Sequence, residues 1–284
     1  MRRFQNLTAL SLLLGLTGLT GCEVMPSLHL DPLSVSGRDG NAPVVSFEAT
    51  MRIAAATRGA GDFGNAVNLY RHAAEMQPYN PEPLIALGDT MIDMGKIDEA
   101  IANYNAALKM LPTSQPALRG LAKAYLRTGR PDLAGKPLAV AFQGAPNDPK
   151  LLLLIGVADD FIGQHAEAQS RYQQGLQLAP GDRSLTLDLA LSLALSEKFD
   201  KAIALLRPLA GATTASPQER QTLALIYGLK GDEKSAREIA RRDLDATAVD
   251  HNIAFYDTLR RLSPDARSRA ILSATAAVRT APQS

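Results

Sequence analysis

The sequence predicts an all-α fold in which helix pairs stack into a solenoid, closed at the C-terminus by capping helices. Composition points there first. Of 284 residues, 46% are hydrophobic but only 5% are aromatic and none is Trp, so Leu and Ala carry the apolar content. A chain of that kind favours helix over strand. Spacing points there second. Columns of proline, alanine and glycine recur every 34 residues, the length of a helix pair with its turns. The third observation is continuity, because the register runs from residue 47 to residue 250 without an insertion.

Four segments follow in chain order. Residues 1–21 read as a lipoprotein signal peptide: Arg2 and Arg3 precede an apolar run over residues 7–19 (LTALSLLLGLTGL). That run is shorter than the roughly 20 apolar residues a membrane-spanning helix needs. It ends Leu19-Thr20-Gly21-Cys22, which resembles the lipobox of bacterial lipoprotein precursors, and Cys22 is the single cysteine of the chain. A lone thiol in an exported protein has no internal disulfide to make. The resemblance implies that Cys22 becomes the new N-terminus and carries lipid, with the membrane as the partner of that end. Glu23 stands where an Asp would resemble an inner-membrane retention signal, so the implied location is the periplasmic face of a bacterial outer membrane.

Residues 22–46 read as the lipidated N-terminus and a flexible tether, broken by Pro26, Pro32, Gly37, Gly40 and Pro43. About 24 flexible residues reach roughly 25–30 Å.

Residues 47–250 hold six repeats. Pro78, Pro112, Pro146 and Pro180 lie 34 residues apart, as do Ala66, Ala100, Ala134, Ala168, Ala202 and Ala236. A glycine column comprises Gly61, Gly95, Gly129, Gly163 and Gly231, with Glu197 in the fifth place. An aromatic or aliphatic column comprises Tyr70, Tyr104, Leu138, Tyr172, Leu206 and Ala240. Each column has a mechanical reason. Small residues let paired helices approach, a glycine can take positive φ to end the first helix, and a proline stops the second. One pair cannot bury its own apolar face, so pairs must stack. The columns resemble the tetratricopeptide pattern, most cleanly in Leu84, Leu87, Gly88, Gly95, Ala100, Tyr104, Ala107 and Pro112. The resemblance implies a right-handed superhelical solenoid of tetratricopeptide helix pairs. Repeats five and six fit least, with Thr214 in place of the closing proline and Asp243 in place of a small residue.

Residues 251–284 read as capping helices and a tail. Ser263-Pro264 has the form of an N-cap followed by proline at the first helical position. These helices are expected to cover the apolar end that an open solenoid exposes.

The tetratricopeptide resemblance also implies which residues face the concave side. By position these are Leu153, Val157 and Phe161 with Asp160, then Leu187, Leu191 and Leu195, then Leu225 and Leu229 with Gln221. Earlier repeats offer Asp89, Asp93, Arg119, Lys123 and Arg127 instead. The eight apolar residues form a candidate partner-binding groove. Leu185, Leu187, Leu189, Leu191, Leu193 and Leu195 alternate strictly, which alone is a strand pattern, but the unbroken register makes the segment a helix apolar on all sides. Something must cover its inner side: either the chain's own closing helices or tether, or a partner's apolar segment. If a partner does, Leu191→Asp weakens its binding and leaves the fold intact. Arg119 and Lys123 alone resemble a carboxylate clamp, so carboxylate recognition is not expected.

No catalytic chemistry is legible. His29, His72, His165 and His251 do not pair with Cys, Asp or Glu at metal-ligand spacing, and there is no nucleophile elbow, phosphate loop or dinucleotide fingerprint. Neighbouring Asp159 and Asp160 point apart on a helix. Without Arg2 and Arg3 the charge balance is 28 basic against 29 acidic residues, which suits neither nucleic acid nor a broad electrostatic partner. The expectation is a non-enzymatic, protein-binding molecule with no cofactor, metal or small-molecule substrate.

Lipobox, tether, repeats and apolar ending together resemble the TadD family, the tetratricopeptide lipoproteins of Flp (tight adherence) pilus systems. The ending is carried by Asn252-Ile253-Ala254-Phe255-Tyr256, Leu259-Arg260-Arg261-Leu262 and Ala266-Arg267-Ser268-Arg269-Ala270-Ile271-Leu272. The resemblance implies a pilotin-like assembly factor whose partner is a secretin or another pilus-assembly component. The alternative is a periplasmic adaptor for cell-wall enzymes or for outer-membrane protein assembly.

Overall fold

In the computed structural model of the chain, residues 45–278 are described. Helices begin there at Ser46, whose hydroxyl accepts the Ala49 amide at 3.2 Å and so caps the first helix. Among the described residues every regular element is helical. Six helix pairs follow one another: α1 (Phe47–Gly59) with α2 (Phe63–Met76), α3 (Glu82–Asp93) with α4 (Ile97–Met110), α5 (Gln115–Arg127) with α6 (Pro131–Gly144), α7 (Pro149–Phe161) with α8 (His165–Leu178), α9 (Arg183–Leu195) with α10 (Phe199–Gly211), and α11 (Pro217–Lys230) with α12 (Glu233–Ala240). Two more close the chain, α13 (Ala246–Arg260) and α14 (Pro264–Val278). The second helix of every pair starts 34 residues after its predecessor, from Phe63 to Glu233.

The turn inside each pair explains that regularity. Gly61, Gly95, Gly129, Gly163 and Gly231 all take positive φ, and Glu197, in the same column, takes φ 61° as the non-glycine exception among the described residues. Column alanines Ala66, Ala100, Ala134, Ala168, Ala202 and Ala236 are wholly buried at the pair seams. The aromatic column fills the space the small residues leave. A Cβ on Gly88 would lie 2.6 Å from the Tyr104 ring, and one on Gly156 would lie 2.5 Å from that of Tyr172. A glycine at those two positions is therefore a matter of ring clearance.

Each helix packs on its chain neighbours, and each first helix from α3 to α11 also packs on the first helix of the next pair. The result is a superhelical solenoid of helix pairs whose concave face is lined by first helices. Its apolar interior forms three clusters: one over α1–α5, a smaller one over α5–α7, and the largest from α8 to α14.

Two features stand out toward the C-terminal end of the described residues. Helix α12 stops at Ala240 after eight residues, and α13 begins at Ala246, ahead of residue 251. The carboxylate of Asp245 accepts the Ala248 amide at 2.8 Å and caps α13 early. Arg220 Nε holds Asp243 at 2.9 Å, fixing the intervening turn. Asp243, the misfit of repeat six, is thus the anchor of a short connection. The second feature is the ending, where one of the alternatives left open by the sequence, that closing helices cover the groove, is the one found. Helix α13 packs on α11 and α12 and closes the solenoid's end, whereas α14 also turns back and lies against α5, α7 and α9.

Candidate functional site

The concave face is built from α5, α7, α9 and α11, and α9 dominates its centre. From Leu187 to Leu195 every residue of α9 is buried, as is Leu185. The strict leucine alternation therefore surrounds the helix axis with apolar side chains that are all covered. One of the covering elements is α14. Its residues Arg267, Ser268, Ile271 and Leu272 are buried while Asp265, Arg269 and Ser273 are exposed, an amphipathic pattern with one face turned into the groove. Ile271 and Leu272 join the same cluster as Leu187, Leu191 and Leu195.

Polar contacts fix α14 at the end of the groove where α7 and α9 finish. Asp160, on the last turn of α7, is 2% exposed and receives three groups. These are the Tyr172 hydroxyl at 2.9 Å, the Ser192 hydroxyl at 2.7 Å and His165 Nδ1 at 2.7 Å. Burial pushes the Asp160 carboxyl above its ordinary value, against the pull of those hydrogen bonds. The other ring nitrogen of His165 meets the Ser268 hydroxyl of α14 at 3.3 Å. Beside it, Arg267 of α14 is 8% exposed. Its guanidinium donates to Glu197 at 3.0 Å and to the carbonyls of Leu259 at 3.2 Å and Leu262 at 3.4 Å. Carboxylate, imidazole and hydroxyl follow in the order of a nucleophilic triad. Ser268 is nevertheless 5% exposed on the inner face of a helix, so its hydroxyl meets the solenoid and not a substrate. The arrangement orients a helix.

The rest of the concave face is open. A cavity of about 680 Å³ runs along the starts of α7, α9 and α11 and the length of α5. Its floor includes Leu153, Val157 and Leu187, and its rim includes Asp89, Arg119, Lys123, Lys150 and Arg183. Much of the rim charge is already satisfied within the chain. Arg119 is paired with Asp148, which also caps α7. Arg183 Nε lies 2.6 Å from Glu219. Burial pushes the Glu219 carboxyl up, but the Arg183 guanidinium and the Ser216 amide and hydroxyl outweigh it and hold the group below its usual range. Asp89 takes the Tyr104 hydroxyl at 2.6 Å. Arg119, one of the two basic residues of the clamp-like pair, is thus already met by Asp148.

The eight candidate groove residues divide accordingly. Leu153, Val157 and Phe161 are half-buried, and the first two line the open cavity together with Leu187. Leu191, Leu195, Leu225 and Leu229 are buried in the cluster that holds α14. The expectation that Leu191→Asp spares the fold is corrected on this point, since Leu191 is 5% exposed and belongs to the core. Cys22, the signal peptide and the tether up to residue 44 lie outside the described residues.

Reading the sequence missed the Asp160–His165 pair. Their separation of five residues spans the turn at Gly163, and helical spacing rules do not connect residues across a turn. The role of Glu197 did leave a trace: it is the one departure from the glycine column.

Comparison with known proteins is consistent along the chain. Two models described as tetratricopeptide repeat match, one over residues 58–102 and 91–156, the other over residues 153–218. The chain is 28% identical over 229 residues to cellulose synthase operon protein C of Xanthomonas axonopodis pv. citri (strain 306), covering 77% of this chain and 14% of that protein. It is 28% identical over 119 residues to the protein CTR9 homolog of Arabidopsis thaliana, covering 42% of this chain and 11% of that protein. The chain thus spans only a small part of the length of either relative. Among solved structures, a tetratricopeptide repeat protein of Parabacteroides merdae superposes with a TM-score of 0.63 at 14% identity, covering 76% of this chain and 86% of that one. PilW, described as a widely conserved type IV pilus biogenesis factor, gives 0.63 at 16% identity, covering 69% and 91%. The pilF protein of Pseudomonas aeruginosa gives 0.60 at 16% identity, covering 74% and 97%. At these identities the likeness is one of fold.

Proposed function

From the premise that this chain belongs to the tetratricopeptide repeat family, a family of protein-interaction scaffolds, we propose that it is a lipid-anchored assembly factor of an Flp (tight adherence) pilus, serving the secretin. The observation that carries the proposal is the pairing of one cysteine, Cys22 behind Leu19-Thr20-Gly21, with an uninterrupted helix-pair solenoid. Lipid on Cys22 anchors the molecule to the outer membrane. A single acyl chain holds only marginally, so firm attachment calls for the multiple acylation that the lipobox resemblance implies. The solenoid then presents a concave face to a partner in the periplasm. The likeness of fold to PilW, a type IV pilus biogenesis factor, is in keeping with this reading.

The reaction is recognition alone, with no bond made or broken. The open cavity offers an apolar floor for anchoring side chains and a rim whose charges are held in place by ion pairs. A preorganised rim of that kind limits the ordering cost of association.

Deleting the protein, or substituting Cys22→Ser, is expected to reduce secretin multimers in the outer-membrane fraction, read by immunoblot without heating. Undiminished multimers in both strains would remove the secretin role. Co-purification of peptidoglycan enzymes or barrel-assembly components, with no secretin, would transfer the scaffold to cell-wall or outer-membrane protein assembly.

A further inference from the structure

The Gly-to-Glu departure at residue 197 calls for a reason. Five turns of the solenoid place a glycine at this position, all with positive φ. Glu197 adopts the same left-handed conformation at φ 61° with a side chain attached, which L residues adopt at a cost. What the carboxylate does is reach α14, where it meets Arg267 at 3.0 Å across 70 residues of sequence. The Ser268–His165 contact crosses 103 residues to the same end of the groove. His165 in turn is oriented by Asp160, which also binds Ser192 and Tyr172 from α9 and α8.

We propose that α14 is a resident ligand of the concave groove, held by a Glu197 and His165 latch, and that the partner taken there is an amphipathic helix of α14's own chemistry. That chemistry is an arginine and a small hydroxyl residue in succession, followed one turn later by two aliphatic side chains, as in Arg267, Ser268, Ile271 and Leu272. This rests on the reading of the chain as a protein-binding scaffold. The groove itself specifies the occupant, since it supplies an acid for the arginine, an imidazole for the hydroxyl and the α9 leucines for the aliphatic pair. Helix-in-groove recognition uses anchors one turn apart on a single face, and these four residues stand at i, i+1, i+4 and i+5. A partner helix with the pattern competes with α14 for one site, so binding and release of α14 are linked.

Amide hydrogen exchange on the full chain tests this. A displaceable ligand opens locally, so α14 amides are expected to exchange at least about tenfold faster than those of α9, which opens only with the core. Glu197→Gly restores the residue found in the other turns and is expected to fold. It should speed α14 exchange by about two- to fivefold while α9 is unchanged, the loss of one ion pair whose acid is half-exposed. Arg267→Gln should do the same from the other side. A synthetic peptide of residues 263–278 added in excess to the full chain should bind and bring α14's own amides to the rate of an unprotected segment. The proposal is overturned if α14 and α9 exchange together, if neither variant changes α14, or if the peptide does not bind. None of these outcomes touches the secretin assay, and a null secretin assay leaves the exchange result standing.

Discussion

Single residues carry much of the fold's tolerance. Gly156 and Gly135 both sit inside helices but face different surroundings. A Cβ on Gly156 would meet the Tyr172 ring at 2.5 Å, and that ring cannot retreat because its hydroxyl is held by Asp160. A Cβ on Gly135 would meet nothing within 4 Å. Gly156→Ala is therefore expected to destabilise by about 1–3 kcal/mol. Gly135→Ala is expected to stabilise by roughly 0.5–1 kcal/mol, by restricting the unfolded chain. Urea midpoints of the two variants check both signs. Asp159 offers a titration at the same scale. Burial pushes its carboxyl up to about 6, with Asp160 and Glu167 adding to the rise and Arg171 opposing it. The folded chain then binds this proton more readily than the unfolded chain. The ionised form weakens the fold above pH 6, and that penalty fades as pH falls from 6 towards 4. Asp159→Asn should stabilise at pH 7 by about 1–2 kcal/mol after solvent screening and have no effect near pH 4, as thermal melts across that range would show.

Elements show how much was legible beforehand. The 34-residue columns place the start of every second helix, because glycine and small-residue positions are local demands of a turn and a seam. The alternating leucines of residues 185–195 do not fit a one-faced helix, and the structure supplies the reason in the burial of α9 on every side. Leu191→Asp should consequently lower the thermal midpoint and the helical signal together. A fully helical variant with an unchanged midpoint would return Leu191 to the surface. Less legible were α12 and α14. The shortening of α12 depends on Arg220 reaching Asp243 across 23 residues, and the path of α14 depends on contacts with α5, α7 and α9 far earlier in the chain. No periodicity encodes such pairings. For the same reason the groove's residues could be named from repeat position, while the side that covers Leu191, Leu195, Leu225 and Leu229 could not.

At the scale of the molecule, stability is unevenly shared. The cluster from α8 to α14 is the largest, whereas α1 to α4 contribute to a separate, smaller one. Repeat arrays lose cooperativity when their interfaces differ in strength. The slowest-exchanging amides are expected in α9–α11 and faster ones in α1–α4, and uniform protection along the solenoid would contradict this.

Helix α14 adds a consequence in time. Stacked pairs make mainly local contacts and assemble quickly, but a helix that must close over partners 70 and 103 residues upstream forms late, after its loop is shut. As the chain is synthesised from its N-terminus, residues 264–278 appear after the helices that they cover. There is then an interval in which the solenoid is built and its groove stands empty. A helical segment nearby at that moment meets no competitor, so the order of synthesis itself can decide which helix is seated first.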